Sequence, residues 1–135
     1  MKKVLLSLFS LLTFYACDPC GQKLILINNT EDAIYYQFLF SDTLPYFQAK
    51  FDLHKYFDLL SPYDTVKPCL IGSENTWVYR INKEGIDSAL HIFIFPTDQV
   101  TDELIKNREY VRLSYKVKEL DSLNWTVVYR GCGIF

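Results

Sequence analysis

His54 stands between Asp52 and Asp58, and a histidine beside a carboxylate is the pair that general acid–base chemistry uses. Downstream, Ser61 lacks the Gly-x-Ser-x-Gly turn that presents a hydrolase nucleophile, so solvated polar residues are the simpler reading of this stretch. His91 lies inside the apolar run Leu90-His91-Ile92-Phe93-Ile94-Phe95 and reads as a core or edge histidine with a satisfied nitrogen. The two histidines are far apart and lack the clustered spacing of a zinc site, so neither metal nor cofactor is expected. Cys17-Asp18-Pro19-Cys20 has the spacing of a redox pair, but no βαβ pattern surrounds it. No catalytic set emerges, and a non-enzymatic protein is expected.

Binding is the better-supported chemistry. Residues 46–63 hold six rings, Tyr46, Phe47, Phe51, Tyr56, Phe57 and Tyr63, with Lys50, His54 and Lys55 among them. Six rings in so short a segment either line a groove for a carbohydrate or peptide, or roof the core beneath a long loop. Trp77 and Trp125 sit in periodic segments and read as core residues rather than stacking platforms.

Residues 1–17 read MKKVLLSLFSLLTFYAC: two lysines, twelve uncharged residues, then Ala16 and Cys17. The uncharged run falls short of the roughly 20 residues that cross a bilayer as a helix, and it matches the length of a signal-peptide core. Phe14, Ala16 and Cys17 resemble the lipobox of bacterial lipoproteins, in which a bulky apolar residue, a small residue and cysteine mark the cut. The resemblance implies a signal peptide over 1–16, a mature N-terminus at Cys17 carrying acyl chains such as palmitate, and a tether over 17–22. Residues 18–22 reach at most about 17 Å, so the domain over 23–135 sits close to its membrane. Two or three acyl chains hold a protein durably, at about 0.8 kcal/mol per buried methylene. The expected location is the cell envelope, at the outer membrane, with the periplasmic or surface-facing side left open.

With Cys17 spent on lipid, Cys20, Cys69 and Cys132 remain for one disulfide, and any of three pairings is open. Asp-Ser/Thr-aliphatic triplets place hydroxyls at Thr43, Thr65, Ser88 and Ser122. They are similar to the O-glycosylation sequon of Bacteroidetes envelope proteins, although Asp-Ser and Asp-Thr are also ordinary turn formers. Asn28-Asn29-Thr30 fits the N-linked sequon, which a bacterial leader makes irrelevant.

The chain has 135 residues and a formal charge of −2; loss of Lys2 and Lys3 with the leader leaves −4. An acidic chain without a basic stripe excludes nucleic acid as the expected partner and gives no attraction to anionic lipid. Composition is that of a globular domain, at 50% hydrophobic and 22% charged, with aromatics high at 16%.

The elements that must position any site follow from periodicity. Residues 23–29 and 33–40 read as strands joined in a hairpin, and 65–71 as a weaker strand broken by Pro68. A helix opens at Ser73, places Trp77 and Ile81 on one face and closes at Gly85. Residues 90–95 read as a central strand buried on both faces. Thr97 or Asp98 caps a second helix in which Val100 and Leu104 share a face. Strict alternation over 110–117 gives a half-buried strand, followed by a helical turn over 118–123 and a last strand over 125–130. The fold class expected is mainly β, a two-layered antiparallel, sandwich-like domain with two or three short helices.

The leader, the Ile27-Asn28-Asn29-Thr30…Ala33-Ile34-Tyr35-Tyr36 stretch and residues 110–129 resemble a group of small lipoproteins from Bacteroidetes. The shared signature is a strand, a Leu-x-x-Leu-Asn-Trp turn, here Leu120, Leu123, Asn124 and Trp125, and a final strand. The likeness covers about two-thirds of the mature domain and implies a compact envelope domain without a known activity; the anchor, together with the lack of a catalytic set, makes an envelope protein or glycan the expected partner. Gly131-Cys132-Gly133-Ile134-Phe135 is an addition to that pattern.

Overall fold

Seven consecutive residues, Ala89 to Phe95, are all buried and form strand β7 (Ala89–Phe95). The pleat sends Leu90, Ile92 and Ile94 to one face and Ala89, His91, Phe93 and Phe95 to the other. The computed structural model describes residues 20–45, 56–73, 75–97 and 99–131. In it β7 is an inner strand of a four-stranded antiparallel sheet, in the order β4 (Asp58–Leu60), β3 (Ile34–Leu39), β7, β8 (Val111–Lys116). β1 (Cys20–Gly21) pairs with β6 (Leu70–Ile71), and β2 (Ile25–Asn28) lies between β5 (Thr65–Val66) and β9 (Thr126–Tyr129). Three short helices complete the domain: α1 (Asn75–Glu84), α2 (Asp102–Lys106) and α3 (Val117–Ser122). The architecture is mainly β, with antiparallel pairing dominant; the one parallel pair among the described residues is β2 with β9, Leu26 opposite Val127.

The core lies on both faces of the four-stranded sheet. On one side, Leu90, Ile92 and Ile94 meet Leu24 and Leu26, Trp77 and Ile81 of α1, Leu120 of α3, and Val127 and Tyr129 of β9. On the other, Phe93 and Phe95 pack with Phe57 and Val100, roofed in part by Leu44, Leu104, Ile105 and Tyr110. Full burial of each large apolar side chain contributes about 1.5–3 kcal/mol, which is why a strand buried on both faces dominates the fold.

The expected hairpin between β2 and β3 does not form. Both edges of β2 are occupied, by β5 and β9, and β3 pairs instead with β4 and β7. The turn itself drives the chain out of one layer into the other. Asn28 is fully buried, and its Nδ2 donates to the carbonyls of Asp32 (2.8 Å), Ser61 (3.0 Å) and Leu60 (3.3 Å). Its Oδ1 accepts from the backbone N–H and hydroxyl of Thr30. An amide fully committed this way is closed to N-linked modification.

The second helix also starts later than expected. Thr101, not Thr97, caps it: Thr101 Oγ1 accepts from Leu104 N at 3.3 Å, and Asp102 and Glu103 follow in the first turn, where carboxylates suit the helix dipole. Thr97 accepts from Gln99 N in a local turn instead, and Asp98 lies outside the described residues. Val100 precedes the helix and Ile105 sits in its second turn; both enter the same apolar cluster, as in a hydrophobic staple.

The Leu-x-x-Leu-Asn-Trp signature is a helix stop. Asn124 takes φ 50, the left-handed conformation asparagine tolerates, and its N–H donates to Asp121 O (3.1 Å). Trp125 N–H donates to Leu120 O at 2.7 Å, completing a Schellman closure, and Leu120 and Trp125 are buried in one cluster. Trp125 also has positive φ, 57, costly for a bulky residue. Burial, an Nε1–H donated to Asp121 Oδ1 (2.7 Å) and Lys23 Nζ at 4.3 Å over the ring hold it there.

Candidate functional site

β4 pairs with β3 only at Ile34, Tyr35 and Tyr36, so beyond Tyr36 the outer edge of β3 has no strand partner among the described residues. A cleft of 540 Å³ opens there, lined by Tyr36, Gln37, Phe38, Tyr56, Asp58 and Trp77, with the Cys69 disulfide on its rim. Its floor is aromatic. Phe38 meets Tyr36 at 5.3 Å and Trp77 at 6.1 Å, both edge-on. Trp77 is fixed because its Nε1–H donates to Gly21 O at 2.8 Å, a bond that also joins α1 to β1.

One polar group is set into this apolar wall, the Tyr36 hydroxyl. Gln37 Oε1 is also buried and has no hydrogen-bond partner among the described residues, but alternation along β3 turns that side chain to the other face of the sheet, with Phe93 opposite it. Burial and the nearby Asp58 carboxylate push the Tyr36 hydroxyl up to about 12. Tyr36 therefore remains a neutral donor throughout the physiological range. A folded pKa raised above the usual 10 gives stability that is complete below pH 10 and lost as pH rises toward 12. Tyr36→Phe is accordingly expected to remove the latest step of the tyrosine absorbance titration and to flatten the alkaline fall in stability between those values.

The aromatic segment divides. Tyr56, 39% exposed, lines the cleft, whereas Phe57 is a core residue packed edge-on against Phe95 at 5.1 Å. Tyr63 is exposed at a turn with φ 56 and does not line the cleft. Tyr46, Phe47, Phe51 and His54 lie outside the described residues, as does Cys17. Trp77 and Trp125 are both buried. Thr43, Thr65, Ser88 and Ser122 are all exposed. Among the described residues, no group of three or more His, Cys, Asp or Glu side chains could hold a metal ion, and no helix is long and apolar enough to cross a membrane. The disulfide joins Cys20 to Cys69; Cys132 is outside the described residues.

His91 has more company than the sequence suggests. Its buried ring lies between Asp87 Oδ1, 3.1 Å from Nε2, and Ser114 Oγ, 2.8 Å from Nδ1. A carboxylate only accepts, so Nε2 donates to Asp87, and the roles of Nδ1 and the Ser114 hydroxyl follow from the tautomer. Desolvation opposes charge on Asp87, but the His91 hydrogen bond and charge, with backbone N–H groups at Asp87 and Ala89, outweigh it and hold the carboxyl below its usual range. A hydroxyl on a base that a carboxylate orients has the connectivity of a nucleophilic relay. The strand register that makes it, Ser114 opposite His91, is invisible in sequence; only the i, i+4 spacing of Asp87 and His91 hinted at the pair. Ser114 does not line the cleft beside β3.

No known protein family, characterised protein or solved structure matches this chain.

Proposed function

We propose that the chain is an exported, lipid-anchored protein of the bacterial outer membrane. Its β domain binds or scaffolds another envelope component without catalysing a change in it, and capture takes place in the cleft beside β3. The observation that supports this most is the combination in one place of aromatic walls and a strand edge that has no strand partner among the described residues. Rings stack on sugars or apolar side chains, while an open edge offers backbone donors and acceptors to an extended peptide. Anchorage adds a reason for the location. Only Asp18 and Pro19 separate Cys17 from Cys20, three Cα steps spanning at most about 11 Å. Because Cys20 is bonded to Cys69 on the rim, lipid on Cys17 keeps the cleft at the bilayer surface. Exposure of Thr43, Thr65, Ser88 and Ser122 supports O-glycosylation at these positions.

The test uses Trp77 as reporter. Soluble muropeptides, which carry sugar and peptide together, and extended hexapeptides are titrated against the intact protein while tryptophan emission is followed. Saturable change lost in a Tyr56→Ala variant is expected; no response to either class rejects the cleft. Mass spectrometry of the native protein tests the anchor, and an unmodified N-terminus other than Cys17 rejects it. The Ser114–His91–Asp87 chain favours a second reading, a hydrolase. Covalent labelling of Ser114 by a fluorophosphonate, abolished in His91→Ala, would replace the binding reading with that one.

A further inference from the structure

A second cleft, of 630 Å³, lies between residues 42–44 and residues 105–112, away from β3's open edge, and is lined by Asp42, Thr43, Lys106, Arg108, Tyr110 and Arg112. We infer that it is a binding site for an oxyanion group, phosphate or carboxylate, carried by a ligand of about sugar-phosphate size. Two guanidiniums, those of Arg108 and Arg112, line it with one carboxylate, that of Asp42, in a protein whose net charge is negative. Among the described residues neither guanidinium has an acidic side chain within ion-pairing distance. The nearest acid in sequence, Glu109, does not line the cleft, and its Oε1 accepts from Asn107 Nδ2 at 3.0 Å.

The fold holds these charges together deliberately in space, from separate parts of the chain. Arg112 stands on the exposed face of β8, and its Nη1 donates to the carbonyl of Asp42 at 2.7 Å. That one bond fixes the guanidinium plane and leaves its other donors for a ligand, the planar fork that reads phosphate and carboxylate. Arg108 is carried on the turn after α2 with φ 57. Its backbone N–H donates to Ile105 O at 3.2 Å and that of Glu109 to Leu104 O at 2.9 Å, which caps the helix carbonyls that would otherwise repel an anion. Tyr110 forms the wall, its ring packed on Phe93 and Phe95 at 5.4 Å from each. A rigid ring beside two uncompensated guanidiniums suits a sugar whose acidic group is held by the arginines.

The experiment titrates the intact chain, in non-ionic detergent, with inorganic phosphate, with glucuronate and with uncharged glucose, following backbone amide shifts. Saturable shifts confined to residues 42–44 and 105–112 are expected with phosphate or glucuronate, weakened by added salt, and none with glucose. Arg112→Gln should weaken binding at least ten-fold. Arg108→Gln, on an exposed turn where folding is not at stake, should weaken it several-fold. Micelles doped with phosphatidylglycerol rather than phosphatidylcholine identify the source. Shifts in the same residues assign a lipid headgroup; their absence, with phosphate or glucuronate binding retained, assigns a soluble ligand. Equal response to glucose, shifts scattered over unrelated lysines, or unchanged affinity in the folded variants overturns the inference.

Discussion

Asn28→Asp is expected to destabilise the domain by about 3–5 kcal/mol, the cost of leaving a buried charge without compensation. In the native protein one amide nitrogen serves three carbonyls, those of Asp32, Leu60 and Ser61. Aspartate puts a carboxylate oxygen where that donor was, facing three carbonyl oxygens in a place without solvent. Against an ordinary total of about 5–15 kcal/mol, this change alone approaches unfolding. Its pH dependence is diagnostic. The new carboxyl would have a folded pKa raised above its unfolded value, so stability returns below the unfolded pKa and is lost as pH rises through the folded one. Urea denaturation at pH 4 and pH 7 measures both effects. Thr30→Val, which removes one partner of Asn28 Oδ1, should cost only about 1 kcal/mol. An Asn28→Asp protein within about 1 kcal/mol of the parent at pH 7 would show that the amide does not hold the two layers together.

Reduction of the disulfide, or its loss in Cys69→Ser, is expected to cost about 4 kcal/mol from chain entropy, since it closes a loop of 49 residues. For a domain of this length that corresponds to a fall in Tm on the order of 15 °C. The effect should spread beyond the cross-link. β1 and β6 are two residues each, too short to hold one another unaided, and Gly21 of β1 accepts the Trp77 indole proton. Gly21 cannot take a substitute either, because a Cβ there would lie 2.7 Å from Ser73 O. Melting with and without reductant, followed by tryptophan emission, checks the result. A change below about 1 kcal/mol would mean that the 20–21 segment is held by other contacts. Release of β1 would also lengthen the connection to Cys17 and loosen the position of the β3 cleft relative to any membrane anchor.

Periodicity carried much of the fold. The unbroken apolar run ending at Phe95, the alternation over β8 and the Trp77–Ile81 spacing of α1 each correspond to an element, because burial on two faces, one face or one stripe leaves a distinct pattern in the chain. Local turn chemistry was less reliable where a buried polar side chain intervened. Asn28 looked like the end of a hairpin, yet its amide bonds to residues 60 and 61, and no short-range pattern records a partner more than thirty positions away.

By itself, then, the amino-acid order determined a β-rich domain with two or three short helices, the burial of Trp77 and Trp125, and a turn ahead of the last strand, since each leaves a local pattern of apolar period or turn residues. Strand order, the parallel pairing of β2 with β9, the choice of Cys69 for Cys20, and the meeting of Asp87, His91 and Ser114 were decided only in three dimensions. So were both clefts, whose walls come from stretches far apart in the chain. The physical reason is the same throughout: local conformation is set by steric preference and burial of one segment, whereas sites arise where segments with no sequence relationship are brought into contact by the shared need to exclude water.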